Sequence, residues 1–235
     1  MTSINPTFTV VVPAAGAGKR MLSDCPKQYL KIGSSSVIEH TISNLLAHPL
    51  IEKVIVSLSA SDAYFSELKV AKDPRVEQVV GGKERVDSVL SGLLSVNQAN
   101  NQWVLVHDAA RPCVTHEEIT NLIKQCTENN SGGLLAVPVV DTLKKSVHIT
   151  SNTVAKVKAT IDRTDLWQAL TPQMYRTNEL ITAIENALEN SIDITDESSA
   201  IESIGLASML VLGSRQNIKI TRPEDLALAS FYLNK

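Results

Sequence analysis

The sequence predicts an α/β fold: a Rossmann-like, mostly parallel sheet with helices on both faces and a protruding β-arm. Three observations predict it. Short β-branched runs alternate with stretches of helical period. Those runs are continuously apolar, as strands covered on both faces are. One polar interval, residues 141–160, breaks the rhythm with two alternating segments around Ser151-Asn152, the pattern of a hairpin leaving the sheet.

The elements follow in order. Residues 8–12 form the first strand. Ser36 caps a helix whose apolar face is Ile38, Ile42, Leu45 and Leu46. Strands follow at 54–58 and 76–80, then a helix striped by Val86, Val89, Leu90, Leu93 and Leu94. The strand at 103–106 precedes a capping box, Thr115 to Glu118, that opens a helix with Ile119, Leu122 and Ile123. After the strand at 134–139 come the two arm segments, 143–147 and 153–157. Leu180, Ile181, Ile184 and Leu188 mark another helix, residues 208–212 and 218–221 two more strands. Pro223 starts a last helix with Leu226, Ala229 and Phe231.

Composition supports one domain over residues 1–235 with an inserted arm. Hydrophobic residues are 43% and charged residues 20% of the 235, which excludes a disordered chain, a collagen and a coiled-coil rod. The net charge of −3 argues against non-specific nucleic-acid binding, which rests on Lys and Arg. The three cysteines, Cys25, Cys113 and Cys126, form no CxxC pair, so neither a zinc site nor a disulfide framework is expected. No apolar run approaches the roughly 20 residues of a spanning helix, and residues 1–7 carry no cationic leader. A cytoplasmic protein without a membrane partner is the expectation.

Chemistry concentrates in three loops that follow strands. The first, Pro13-Ala14-Ala15-Gly16-Ala17-Gly18-Lys19-Arg20, offers small residues and cations where open α/β sheets bind ligands. It is not a Walker A loop, because Arg20 stands where Ser or Thr is required. It is not a full dinucleotide fingerprint, because Met21 fills the third small position, which weakens an oxidoreductase reading. Lys27, after Pro26, adds a third cation beside Lys19 and Arg20. The second loop, Gly81-Gly82 to Ser88, offers amides and a hydroxyl to a base or ribose, or is a plain strand-to-helix turn. The third, His107-Asp108-Ala109-Ala110-Arg111-Pro112, sets a carboxylate at a strand tip, a place suited to Mg²⁺ and phosphates. Lys219, between Ile218 and Ile220, needs a charge partner or an edge position.

Taken in order, Pro13 to Met21, Pro26-Lys27-Gln28-Tyr29, Gly81-Gly82-x-x-Arg85-x-x-Ser88, His107 to Pro112, Asp162-Arg163, Leu170-Thr171-Pro172-Gln173, Ile194-Thr195-Asp196-Glu197 and Asn217-Ile218-Lys219 resemble the 2-C-methyl-D-erythritol 4-phosphate cytidylyltransferase family. The resemblance spans nearly the whole chain. It implies a nucleotidyltransferase that joins CTP to the sugar-alcohol phosphate and releases pyrophosphate, in non-mevalonate isoprenoid biosynthesis. It implies that Ala14, Ala15, Gly16, Gly82, Ser88, Asp108 and Ala109 surround CTP, and that Arg20 and Lys27 stabilise the transition state. Arg163 and Lys219 are then catalytic groups that place the substrate phosphate, with Thr142, Thr171 and Thr195 in the same pocket. Asp108 lies by the nucleotide, the substrate and Mg²⁺, the implied cofactor, and Arg111 supports that loop on the substrate side. The implied partner is a second copy of the chain, a homodimer in which the β-arm completes the neighbour's site.

The chain departs from the family pattern at Lys19, where arginine is frequent, at Ala17, where a larger residue can occur, and at Lys83, which has no assigned role. Two alternatives remain: ribitol 5-phosphate cytidylyltransferase, and a non-catalytic nucleotide-binding regulatory module. Ala14-Ala15-Gly16, Ala109-Ala110 and the stretch from Asp162-Arg163 to Leu166-Trp167 resemble the methylerythritol family more than the ribitol one. Intact Arg20, Lys27, Asp108, Arg163 and Lys219 argue against the module.

Overall fold

β1 (Phe8–Pro13) sits inside a seven-stranded sheet, hydrogen-bonded in parallel to β4 (Ile51–Leu58) on one side and β6 (Trp103–Val106) on the other. The computed structural model describes residues 7–16, 25–97, 102–147 and 154–234. With β5 (Val76–Val80), β7 (Gly133–Pro138), β10 (Trp167–Arg176) and β11 (Met209–Leu212), the order is β11-β7-β10-β6-β1-β4-β5.

Continuous apolar strands bury both faces because successive side chains point opposite ways. Val10 and Val12 of β1 pack with Ile38, Ile42 and Leu45 of α1 (Val37–Ala47) and Ile119 and Leu122 of α3 (His116–Glu128). Val11 faces the other layer, against Val89 and Leu93 of α2 (Arg85–Leu94), Leu180 and Ile184 of α4 (Thr177–Glu189), and Ile201 of α5 (Glu197–Ser203). The expected cap at Ser36 and the expected capping box of Thr115 with Glu118 both form, and Ser36 also makes a capping box with Glu39. α6 (Pro223–Leu233) begins at Pro223 and closes a third cluster that includes Ile32, Ala110, Ile220 and Ala229. Its neighbour is a small hairpin, β2 (Lys31–Ile32) and β3 (Ser35–Ser36), turned at Gly33 with φ +62°.

Three features differ from the sequence expectation. β10 is a strand where none was expected, antiparallel to both β6 and β7. The period is hidden because its ladder to β7 breaks between Ala169 and Gln173, around a proline that cannot donate. Residues 218–221 form no strand; Ile220 N–H instead reaches Ala110 O at 2.9 Å, so this segment lies along the loop after β6. α5 was unread because seven residues are too few to show a helical period, although Asp196 caps it through Ser199 N at 2.9 Å.

The arm exists: β8 (Leu143–Ser146) and β9 (Val157–Ile161) pair antiparallel as a separate ribbon. Its second strand begins four residues later than the alternation suggested, and residues 148–153 of the expected turn lie outside the described ones. Val154 and Val157 are exposed, 90% and 64%. Among the described residues no helix is long and apolar enough to cross a membrane.

α2 approaches β1 through Gly92, where an added Cβ would lie 2.5 Å from Val11 Cγ1 and 3.0 Å from Ser57 Oγ. We predict that Gly92→Val lowers the unfolding free energy by about 1–3 kcal/mol, because the filled contact must push α2 off the sheet. Urea denaturation monitored by circular dichroism checks this.

Candidate active site

The loops after β1, β5 and β6 meet the 217–221 segment around one open cleft of about 280 Å³. Pro13, Ala14, Ala15 and Gly16 form one wall, Gly82 to Arg85 with Ser88 another, and Asp108, Ala109, Ala110, Lys27, Gln28 and Lys219 the rest. Lys27, Lys83, Arg85 and Lys219 face two carboxylates, Glu84 and Asp108, so the lining described carries excess positive charge. This suits an anionic ligand.

Buried side chains shape the loops. Gln28, 4% exposed, donates through Nε2 to Ala14 O at 2.8 Å and to Gly16 O at 3.3 Å. Pro26 and a short turn over Lys27–Tyr29 carry it there. Gly81 lets the second loop close on the first, since a Cβ there would lie 2.9 Å from Ala15 Cβ and 2.8 Å from Ser88 Oγ. Ser88 was expected to offer its hydroxyl to a base or ribose. It lines the cleft, but it is buried and its hydroxyl donates to Glu84 O and accepts from Gly82 N–H, both at 3.2 Å. Its hydroxyl therefore braces the loop.

Asp108 is the electrostatic centre. Arg85 Nε reaches its Oδ1 at 3.1 Å, Lys219 Nζ its Oδ2 at 2.8 Å, and Arg111 Nε lies 3.5 Å from Oδ2. Burial alone raises a carboxyl pKa; here the fields of Arg85, Lys219 and Arg111 outweigh it and hold Asp108 far below the carboxylate range. Arg85 also binds Glu197 with both terminal nitrogens, at 2.6 and 3.2 Å. Burial opposes its charge, but Glu197 and Asp108 raise its pKa above the ordinary value. The sequence motifs contain Arg85 and Gln28 without assigning either a role; Arg85 stands three positions after Gly82, and Gln28 directly follows Lys27.

Beneath Asp108 runs a neutral relay. His107 is fully buried, with Nε2 3.0 Å from Arg111 O and Nδ1 3.0 Å from Thr171 Oγ1. A carbonyl can only accept, so Nε2 carries the proton and Nδ1 accepts from the Thr171 hydroxyl. That hydroxyl accepts from Asp108 N–H at 3.1 Å. Asn217 Nδ2 donates to Thr171 O, and Arg111 Nη1 to Asn217 O, each at 2.7 Å. Burial pushes the His107 pKa down to about 4.

These contacts correct several expectations. Thr171 and Arg111, expected to line the substrate pocket, are 4% and 7% exposed and hold the 107–111 loop from below. Thr142 and Arg163 lie on or beside the arm, where Arg163 Nη1 donates to Val140 O, and they do not line this chain's cleft. Thr195 is exposed in an adjoining cleft that shares Glu84 and Arg85 with the first. Lys27 lines the main cleft with Nζ 2.9 Å from Ile220 O. Arg20 lies outside the described residues.

The donor set does not fit a protein-held Mg²⁺ at Asp108. Both its oxygens are engaged by cations, and no group of three or more His, Cys, Asp or Glu gathers among the described residues. A hard divalent ion needs free oxygen ligands.

Stability should follow His107. The unfolded imidazole binds a proton near pH 6.5 and the folded one only near 4, so stability falls as pH drops through that window, by up to about 1.4 kcal/mol per unit. His48, also lowered by burial, adds in the same direction, and Asp108 contributes a further loss below the carboxylate range. We predict that His107→Gln flattens the slope between pH 4 and 6.5, measured by urea unfolding at each pH.

Comparison with known proteins agrees with this geometry. Residues 8–235 match the IspD family model, 2-C-methyl-D-erythritol 4-phosphate cytidylyltransferase. The enzyme of that name from Colwellia psychrerythraea is 55% identical over 233 residues, covering 97% of this chain and 95% of its own. The Vibrio cholerae protein of that name is 53% identical over 229 residues, 97% of each chain. The crystal structure of the Francisella tularensis enzyme superposes with a TM-score of 0.80 at 33% identity, over 96% of this chain and 99% of that one. The chain therefore belongs to the 2-C-methyl-D-erythritol 4-phosphate cytidylyltransferase family.

Proposed function

We propose that this protein transfers the cytidylyl group of CTP to 2-C-methyl-D-erythritol 4-phosphate, releasing pyrophosphate and the CDP-linked alcohol of isoprenoid biosynthesis. The observation that carries the reading is the cationic cleft, which Lys27 and Lys219 line together with the small residues of the loop after β1. Ala14, Ala15, Gly16, Gly82, Asp108 and Ala109 receive CTP. An oxygen of the sugar-alcohol phosphate attacks the α-phosphorus in line; one P–O bond forms and the bond to pyrophosphate breaks.

The nucleophile is already an anion, so no general base is needed. His107, which directly precedes Asp108, is fully buried, and that burial keeps its imidazole neutral. Catalysis is then positioning and charge stabilisation. Lys27 and Arg20 offset charge on the α-phosphate and the leaving pyrophosphate, and Lys219 meets the incoming phosphate. Asp108 is saturated by its cations, so a divalent cation entering with CTP would take its ligands from the nucleotide rather than from this carboxylate.

Arg163 and Thr142 serve the cleft of a second copy. Their place on the arm, away from their own cleft, and the exposed Val154 and Val157 support a homodimer joined through the arm. Thr195 borders the sugar-alcohol end from the adjoining cleft. We place the enzyme in the cytoplasm as one nucleotidyltransferase domain with an inserted arm.

Pyrophosphate release from CTP, with methylerythritol phosphate and ribitol 5-phosphate offered in parallel, tests the substrate. Release with the first alone is expected; release with ribitol phosphate alone selects the rival enzyme, and CTP binding without turnover selects a regulatory module. Lys27→Ala and Arg20→Ala should each lower kcat by about 10²–10³-fold with an unchanged circular dichroism spectrum. Near-normal turnover removes their assigned role. Arg163→Ala should raise KM for the sugar-alcohol phosphate about tenfold or more and leave KM for CTP unchanged, the loss expected for one charged hydrogen bond. Equal effects on both KM values refute that assignment.

A further inference from the structure

The ion pairs around Asp108 have an outer member to which the reaction assigns no task. Glu197, the first residue of α5, is 2% exposed. Its mount is rigid. Gln173 of β10 donates to Asp196 Oδ2 at 3.0 Å and accepts from Ser198 N–H at 2.9 Å, on either side of Glu197. Its carboxylate takes Nη1 and Nη2 of Arg85 and so sets the orientation of that guanidinium, which meets Asp108 Oδ1 through its Nε–H. Oδ2 stays with Lys219, whose side chain, 37% exposed, reaches the cleft.

We propose that Glu197 is a positioning residue for cytidylyl transfer: by holding the fork of Arg85, it leaves Asp108 Oδ2 to anchor the Lys219 ammonium at the cleft. The catalytic consequence rests on the function proposed above. A guanidinium fork matches a carboxylate at two points, and the carboxylate that holds its two terminal nitrogens sets how Arg85 faces Asp108. Glu197, buried and without another cation among its described ion pairs, keeps the fork. Neutralising Glu197 frees the fork to turn onto both oxygens of Asp108. Lys219 then loses its anchor, and its flexible stem no longer holds the ammonium where the incoming phosphate needs it. Arg85 and Glu84 line both clefts, so Glu197 acts from the Thr195 side on a charge at the nucleotide side.

The test is Glu197→Gln in the full chain, alone and with Lys219→Ala. The first readout is proton exchange of the Lys219 ammonium in the ligand-free protein, by NMR of ¹⁵N-labelled lysine, assigned by the loss of its signal in Lys219→Ala. Exchange should quicken about tenfold in Glu197→Gln once the ion pair is broken. The second readout is kinetic. The value of kcat/KM for methylerythritol phosphate should fall about tenfold in the native background and less than about twofold in the Lys219→Ala background, because the two residues act as one unit. KM for CTP should stay within about twofold. If the glutamine variant fails to fold, Glu197→Asp, which keeps the charge on a shorter stem, enters the same cycle. Unchanged exchange, or the same fold-loss in both backgrounds, overturns the proposal. A native protein that binds CTP and transfers nothing overturns the proposed function instead, and the exchange measurement still decides whether Glu197 places Lys219.

Discussion

A carboxylate buried at the tip of β6 must be balanced where it stands, and the site is organised around that demand. Asp108 is 6% exposed. A desolvated charge of this kind persists only with cations at hydrogen-bond range. The cations come from three places: Arg85 from the start of α2, Arg111 from the loop that Asp108 itself begins, and Lys219 from the segment before α6. Each must be delivered by its own stretch of backbone, so the balance of one charge ties together the loops that frame the cleft.

Charged and neutral networks divide the labour. The rim, where Asp108 meets its cations, can attract and orient anions. The layer below, His107 with Thr171 and Asn217, carries its hydrogen bonds without net charge and sets the backbone of the 107–111 loop. An imidazolium in that place would turn Nδ1 into a donor facing a hydroxyl that already serves it, with no solvent to relieve the charge. The chain's net −3 therefore coexists with a positive cleft: the surplus acids lie elsewhere on the surface, and the cations of the cleft are gathered from distant stretches of sequence.

Where a signal is local, the residues announce it. The glycines and small residues after β1, the capping hydroxyls at Ser36 and Thr115, and Asp108 at a strand tip act through neighbours a few positions away. Partners distant in the chain leave no such mark. The carboxylate that holds Arg85 stands 112 positions later, and Thr171 reads as a pocket hydroxyl until β10 carries it under the β6 loop. β10 itself is hidden because Pro172 and the irregular ladder erase the period that identifies a strand.

Sequence by itself determined the α/β class, the arm, the three loops and the family to which they point, because apolar period and motif spacing are properties of neighbouring residues. Only the tertiary structure decided which of the singled-out groups face the cleft. It placed Lys27, Asp108 and Lys219 on its wall, turned the hydroxyls of Ser88 and Thr171 to bracing, and kept Arg163 away on the arm. It also supplied Arg85 and Glu197, since the pairing of two charges depends on where the sheet and helices bring them, not on their separation along the chain.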